Sequence, residues 1–314
     1  MTPAIGILLP TVSGRGEAPG DVTAAASHAE DLGFESAWVV DQLVAGTGVP
    51  VLDSGIALAA AAAATTRVRV AYGVLIVPLH PLAWLAKQVA SLQHVSQGRL
   101  ILGVGTGGDR HGLSWAAAGV PRRERGRRTD HALQVLPRLL AGEPTRLAED
   151  EDGPVVTLAP SAPFPPIVVG GMAEPALRRA ARYGDGWFPL PAEPAVVAAA
   201  QARLEELAAG YGRPVPPVTA SLMTAITGDP DLPARDEMTR RLTDPDGMFG
   251  IPAEYVPSVL HAGPPGEIAA RLAEHAGRGV ERVVISVAAG NWFRQAELVA
   301  RARDLLGGPA QARP

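Results

Sequence analysis

An α/β fold, a (β/α)8 TIM barrel with insertions after strands four and seven, is predicted by three observations. Short runs rich in Val, Ile and Leu alternate with longer helical stretches from one end of the chain to the other. Those runs barely alternate in polarity, which marks strands buried on both faces of a parallel sheet. Eight strands and eight helices in strict alternation fit a chain of 314 residues, an ordinary length for this fold as a single domain over residues 1–314.

The first strand is expected at residues 4–9, followed by the helix "DVTAAASHAEDLGF" with Asp21 as N-cap and Gly33 as the C′ glycine. The second strand spans 36–40, and the Ala-rich "DSGIALAAAAAATT" starts a helix at Asp53 or Ser54. The third strand, 68–77, leads into "PLAWLAKQVASLQHVSQG", with Pro81 near the start of its helix and Gly98 past the end. The fourth, 100–105, precedes the helix within "RRERGRRTDHALQVLPRLLAG". Strands at 167–170, 186–188, 218–226 and 282–288 complete the set, each with a helix after it. Residues 142–166, acidic and then Pro-rich, read as a loop or short hairpin before strand five. Residues 229–263, dense in Pro and Gly and partly helical, read as a lid or subunit contact.

Composition narrows the function classes. Apolar residues make up 47% of the chain, enough for a sizeable core. A net charge of −4 with 19% charged residues gives no basic excess, so no nucleic-acid partner is expected. The absence of cysteine excludes disulfides and thiolate metal sites. The apolar part of the opening segment is too short for a signal peptide or a membrane span, so a cytoplasmic location without a membrane partner is expected. The histidines show no metal-ligand spacing, and no metal is expected.

Two glycine turns carry the strongest local signals. In "RLILGVGTGGDR", Gly103, Gly105 and Gly108 spell G-x-G-x-x-G. A dinucleotide fingerprint would close the first strand, open a helix at once and place an acid roughly 20 residues on. This motif follows the fourth strand and nothing strand-like comes next, so an NAD-dependent dehydrogenase is disfavoured. The remaining readings are a tight βα turn and a loop at the catalytic face whose backbone N–H groups approach a ligand. "PPIVVGGMAEPALRRAARYGDGWF" repeats the theme: strand, Gly170-Gly171, then a helix start at which the amides of Gly171, Met172 and Ala173 form a candidate anion site.

Together with "DLGFESAWVVDQ" and "RVRVAYGVLIVPLHPLAWLAKQVASLQHVSQGRLILGVGTGG", this segment resembles the luciferase-like monooxygenases, the bacterial-luciferase superfamily of flavin- or F420-dependent oxidoreductases. The resemblance runs from strand one to at least Pro189. It implies a TIM barrel with the cofactor, F420 or alternatively FMN, at the C-terminal ends of the strands, a small-molecule substrate and a homodimer. It further implies that Gly105, Thr106 and Gly107 line the cofactor tail, that Gly170, Gly171 and Met172 hold its phosphate, and that Gly73-Val74 is a non-prolyl cis pair pressing against the ring.

Candidate chemical groups cluster after the strands. Asp41 and Gln42 end strand two; many relatives carry a histidine where Gln42 stands, and an amide cannot exchange a proton in its place. Asp41 is the nearest titratable group, though strand-end carboxylates commonly cap loops. His80, in "PLHP", belongs near the catalytic face, and Asp109 with His111 follows the strand-four turn. Relatives that oxidise sugar phosphates have an acid where Gly108 stands, so that activity is disfavoured. The run of Arg122, Arg123, Arg125, Arg127 and Arg128 reads as a solvated helix start or as an attractor for the anionic tail of F420. Three functions follow: F420-dependent hydride transfer, an FMN-dependent monooxygenase using O2, and a cofactor-binding barrel without turnover.

Overall fold

The computed structural model describes residues 2–108, 112–148, 153–189 and 194–306. Its first half runs β1 (Ala4–Leu8), α1 (Val22–Asp31), β2 (Ser36–Val39), α2 (Ser54–Ala64), β3 (Arg69–Tyr72), β4 (Leu75–Ile76), α3 (Leu82–Val95), β5 (Leu100–Gly105), α4 (Leu113–Ala117), α5 (Arg125–Leu140), β6 (Thr145–Arg146) and β7 (Val155–Val156). The second half continues β8 (Ile167–Gly170), α6 (Glu174–Tyr183), β9 (Gly186–Phe188), α7 (Pro194–Gly210), β10 (Thr219–Ile226), α8 (Arg235–Thr243), α9 (Val256–Val259), β11 (Leu260–Gly263), α10 (Pro265–Gly277), β12 (Arg282–Val287) and α11 (Trp292–Asp304).

Local chemistry sets the helix starts. Asp21 accepts the Ala24 N–H and Asp53 that of Ile56, while Asn291 accepts from both Phe293 and Arg294. The strands form one curled, parallel, TIM-barrel-like sheet in the order β11-β10-β12-β1-β2-β3-β5-β8-β9, with β4 also paired to β5. A parallel bridge from Trp187 to Val218 joins β9, one end of this order, to the entry of β10, the strand next to the other end.

Alternation along the strands sorts their side chains into two layers. Outward residues such as Val39, Val70, Tyr72, Leu102, Val104 and Val169 pack under the helices. Inward residues Trp38, Ala71, Ile101, Val168 and Val284 fill the lumen. Gly6 makes room there, since a Cβ on it would lie 2.5 Å from Trp38 Nε1. At the N-terminal end of the strands, Arg282 makes two hydrogen bonds of 2.9 Å to Glu35, and Arg69 stands 3.8 Å from the same carboxylate. Those arginines border a cavity of only about 100 Å³.

Residues 142–166 contain the antiparallel pair β6–β7, in keeping with the short hairpin expected there. Two segments depart from the expected pattern. The run 68–77 is not one strand: β3 stops at Tyr72, the chain bulges at a cis Gly73–Val74 peptide, and β4 resumes on β5. Within 229–263 the chain forms α8, α9 and the short strand β11, which pairs parallel with β10. No helix among the described residues is long and apolar enough to cross a membrane.

Candidate active site

The site is built at the C-terminal ends of the strands, and its floor explains the glycines of β5. Inward positions of β5 and β8 hold Gly103, Gly105 and Gly170 where a barrel would ordinarily carry side chains. Val74, thrust inward by the bulge, occupies that space. A Cβ on Gly105 would lie 2.7 Å from Val74 Cγ2, and one on Gly170 3.1 Å from the same atom. A Cβ on Gly103 would collide with the Tyr72 carbonyl oxygen. Glycine at every second residue of β5 is therefore a packing requirement set by the β3–β4 bulge. Gly107, at φ +73°, closes the turn against Ile76 and Trp115.

Asp41 and His80 come together at the rim. Asp41 Oδ2 accepts the Ile76 N–H at 2.7 Å and lies 3.2 Å from His80 Nε2, while Oδ1 accepts the Ser54 hydroxyl at 2.7 Å. Burial opposes its ionisation, but His80, the Ile76 amide and Ser54 outweigh that and hold the carboxyl below its usual range. Tyr72, in the same outer layer, has its hydroxyl pKa raised by burial and by the charges of Asp41 and Asp53. Asp41 thus ties β2 to the start of α2 and to the turn after β4, with both oxygens engaged. Gln42, half-buried beside it, lies in the loop three residues past the end of β2. Asp109 and His111 lie outside the described residues.

The second glycine turn behaves differently from expectation in one detail. The Gly171 N–H donates to the Phe188 carbonyl at 3.0 Å, extending the β8–β9 ladder, so this amide is not offered to an anion. The Trp187 indole N–H donates to the Gly171 carbonyl at 2.7 Å, fixing the turn from the other side. Gly171 supplies the left-handed conformation, φ +109°, that redirects the chain into α6. The Met172 side chain packs against the outer core.

Beside that turn lies a cavity of about 480 Å³. Thr106 from the β5 turn borders it, with Ala173, Pro175 and Ala176 from the start of α6, Arg122 and Arg123 from the 3-10 turn that leads into α5, and Arg125 at the first position of α5. None of these three arginines forms an ion pair among the described residues. Arg179 is the one in this wall that sequence reasoning missed. It is 8% exposed, grips Asp130 at 2.6 and 2.9 Å and the Gly126 carbonyl at 3.2 Å, and so locks α6 to α5. Its only sequence signal is its place among buried Leu177, Ala180 and Ala181 on one helix face. No group of three or more His, Asp or Glu among the described residues is arranged to hold a metal.

The family model for luciferase-like monooxygenases matches residues 4–245, from β1 through the end of α8. The chain belongs to the luciferase-like monooxygenase family. An uncharacterised protein of Mycobacterium tuberculosis is 36% identical over 171 residues, 54% of this chain and 58% of that protein. The chain thus spans little more than half the length of that curated relative. Among solved structures, an F420-dependent secondary alcohol dehydrogenase in complex with an F420-acetone adduct superposes with a TM-score of 0.79 at 17% identity, covering 98% of this chain and 99% of that one. A riboflavin lyase with modified FMN and riboflavin superposes with a TM-score of 0.71 at 18% identity, covering 97% of this chain and 91% of that one.

Proposed function

We propose that this luciferase-like protein is an F420-dependent oxidoreductase that transfers hydride to or from a small organic substrate. The observation that carries the reading is the arginine-lined cavity. Three guanidinium groups without carboxylate partners among the described residues, facing a helix start, form more positive charge than one phosphate requires. An extended tail with several anionic groups uses it fully. In this reading Thr106, these arginines and the backbone from Met172 hold the tail. The Gly73–Val74 bulge, seated on Gly105 and Gly170, backs the ring, and Gly107 closes the turn beside it. The bound cofactor would supply a two-electron hydride carrier.

The chain's own residues position and protonate. Asp41, with both oxygens occupied, acts by holding His80 through Nε2 and fixing its tautomer, which leaves Nδ1 to face a partner. We assign His80 the proton-handling role that Gln42 cannot take. Gln42 is assigned a hydrogen bond to cofactor or substrate, and Asp109 is a further candidate at the strand-four turn. The curled sheet, joined through Trp187 and Val218, is read as a (β/α)8 barrel in a single domain. The proposed homodimer would cover Ile56 and Trp84, 73% and 68% exposed on the outer faces of α2 and α3.

Titration with F420 and with FMN tests the assignment. F420 is expected to bind at least about tenfold tighter than FMN, with Arg125→Glu weakening F420 by about tenfold or more. Tighter FMN binding moves the protein to the oxygen-using monooxygenases, and binding of neither removes the cofactor reading. His80→Gln is expected to lower turnover while leaving cofactor affinity within about twofold.

A further inference from the structure

The lumen changes character with height, and the change points to the kind of molecule that fits it. At mid-height the inward side chains of Trp38, Ala71, Ile101, Val168 and Val284 are at most 3% exposed and pack together as a plug. One inward step higher stand Leu8 on β1, Val74 in the bulge, Phe188 on β9, Met223 on β10 and Ser286 on β12. Met223 is 9% exposed and the other four are partly exposed, although all face into the barrel. The packed plug therefore gives way to accessible space at this level. Above β10 that space is roofed by apolar side chains, for Met223 and Ala225 pack against Met238, Leu242 and Val256 of α8 and α9.

The polarity of this ring is one-sided. Ser286 is its single polar side chain, and none of the five is titratable. Asp41, two residues past the end of β2, is turned onto Ser54, Ile76 and His80. A charged group entering the ring would be stripped of water without meeting an opposite charge, which disfavours it strongly. An apolar skeleton gains by burial there, and a single carbonyl or hydroxyl finds the Ser286 hydroxyl as a partner.

We propose that the substrate chamber selects uncharged, predominantly apolar molecules carrying one hydrogen-bonding group, with Met223 and Ser286 as specificity-determining residues. The proposal rests on the reading that substrate meets cofactor at this mouth.

Acetophenone and 4-acetylbenzoate, which share a skeleton and differ by one carboxylate, are suitable probes. Their binding is measured by saturation-transfer NMR in the Arg125→Glu background, so that the arginine cavity does not capture the carboxylate. Acetophenone is expected to bind at least about tenfold tighter than 4-acetylbenzoate. Met223→Glu, and the less buried Ser286→Asp, should each weaken acetophenone by about tenfold or more while keeping a cooperative melt. Equal or tighter binding of 4-acetylbenzoate overturns the proposal, as does acetophenone binding that survives both substitutions or is absent from the parent. Parallel F420 and FMN titrations of the unsubstituted protein separate the two claims. Selective acetophenone binding without either cofactor upholds the chamber and removes the cofactor reading.

Discussion

Val74 and the glycines beneath it show how one side chain can dictate the composition of neighbouring strands. Gly105→Ala adds a methyl that must displace Val74 Cγ2 from 2.7 Å, and overpacking of this kind costs about 1–3 kcal/mol. Val74→Ala removes the colliding atoms, so the double variant should recover most of that loss. Denaturant titration of both single variants and the pair measures the coupling, and additive losses would show that the contact is not the cause. The same residues mark what could be read from sequence. Gly-x-Gly after an apolar run was visible, but the reason for it lay 30 residues earlier in a bulge that no periodicity announces. Asp41 and His80 were both legible as strand-end groups. Their pairing was not, because it depends on how the turn after β4 folds back over β2. The Gly171 amide looked available because sequence shows a helix start and not the ladder to Phe188 that claims it.

At the scale of elements, the strands buried on both faces were the easiest to foresee, since runs such as "LILGVG" have no other stable place. "RVRVAYGVLIV" read as one strand because its apolar content is unbroken and only Gly73 hints at the interruption. β11, four residues long within a Pro- and Gly-rich segment, left no pattern to find. That segment is stitched across the mouth. Arg15 pairs with Asp244 at 2.6 Å, Arg241 stands 3.6 Å from Glu17, and the Thr47 N–H donates to the Asp246 carbonyl at 3.0 Å. Exposed pairs of this kind contribute only about 0.2–1 kcal/mol to global stability. They hold a local segment, however, whose opening needs little more than their loss. Arg15→Ala should therefore shift the melting temperature by no more than about 2 °C, yet speed tryptic cleavage at Arg240 or Arg241 several-fold, and added salt should have the same effect on the parent. An unchanged cleavage rate in Arg15→Ala would show that the pair does not restrain the segment.

For the whole molecule, buried or bridging carboxylates make stability depend on acid. Glu30 accepts the N–H groups of Thr66, Arg67 and Val68; burial opposes its charge, but these bonds dominate and lower its pKa from 4.5 to about 2. Glu35 is held low by Arg282 and Arg69 against the effect of burial, and Asp41 by His80 and its other partners. Each native pKa lies below its unfolded value, so the native state favours the ionised form. For Glu30 the stabilisation is complete above pH about 4.5 and is lost as pH falls towards 2, and Glu35 and Asp41 act in the same direction. Unfolding free energy from denaturant titrations should fall steadily across that window, and Glu30→Gln should flatten part of the fall; a pH-independent profile would contradict the assignment. The plug of Trp38, Ile101 and Val168, with the charged layer beneath it, has a consequence of another sort. A vessel sealed at one end has a single door. Whatever enters last stands in the way of whatever entered first, so on the proposed function reactant and carrier cannot exchange independently. Departure should follow the reverse of arrival, and initial-rate patterns with product inhibitors should show a compulsory order of addition in place of random binding.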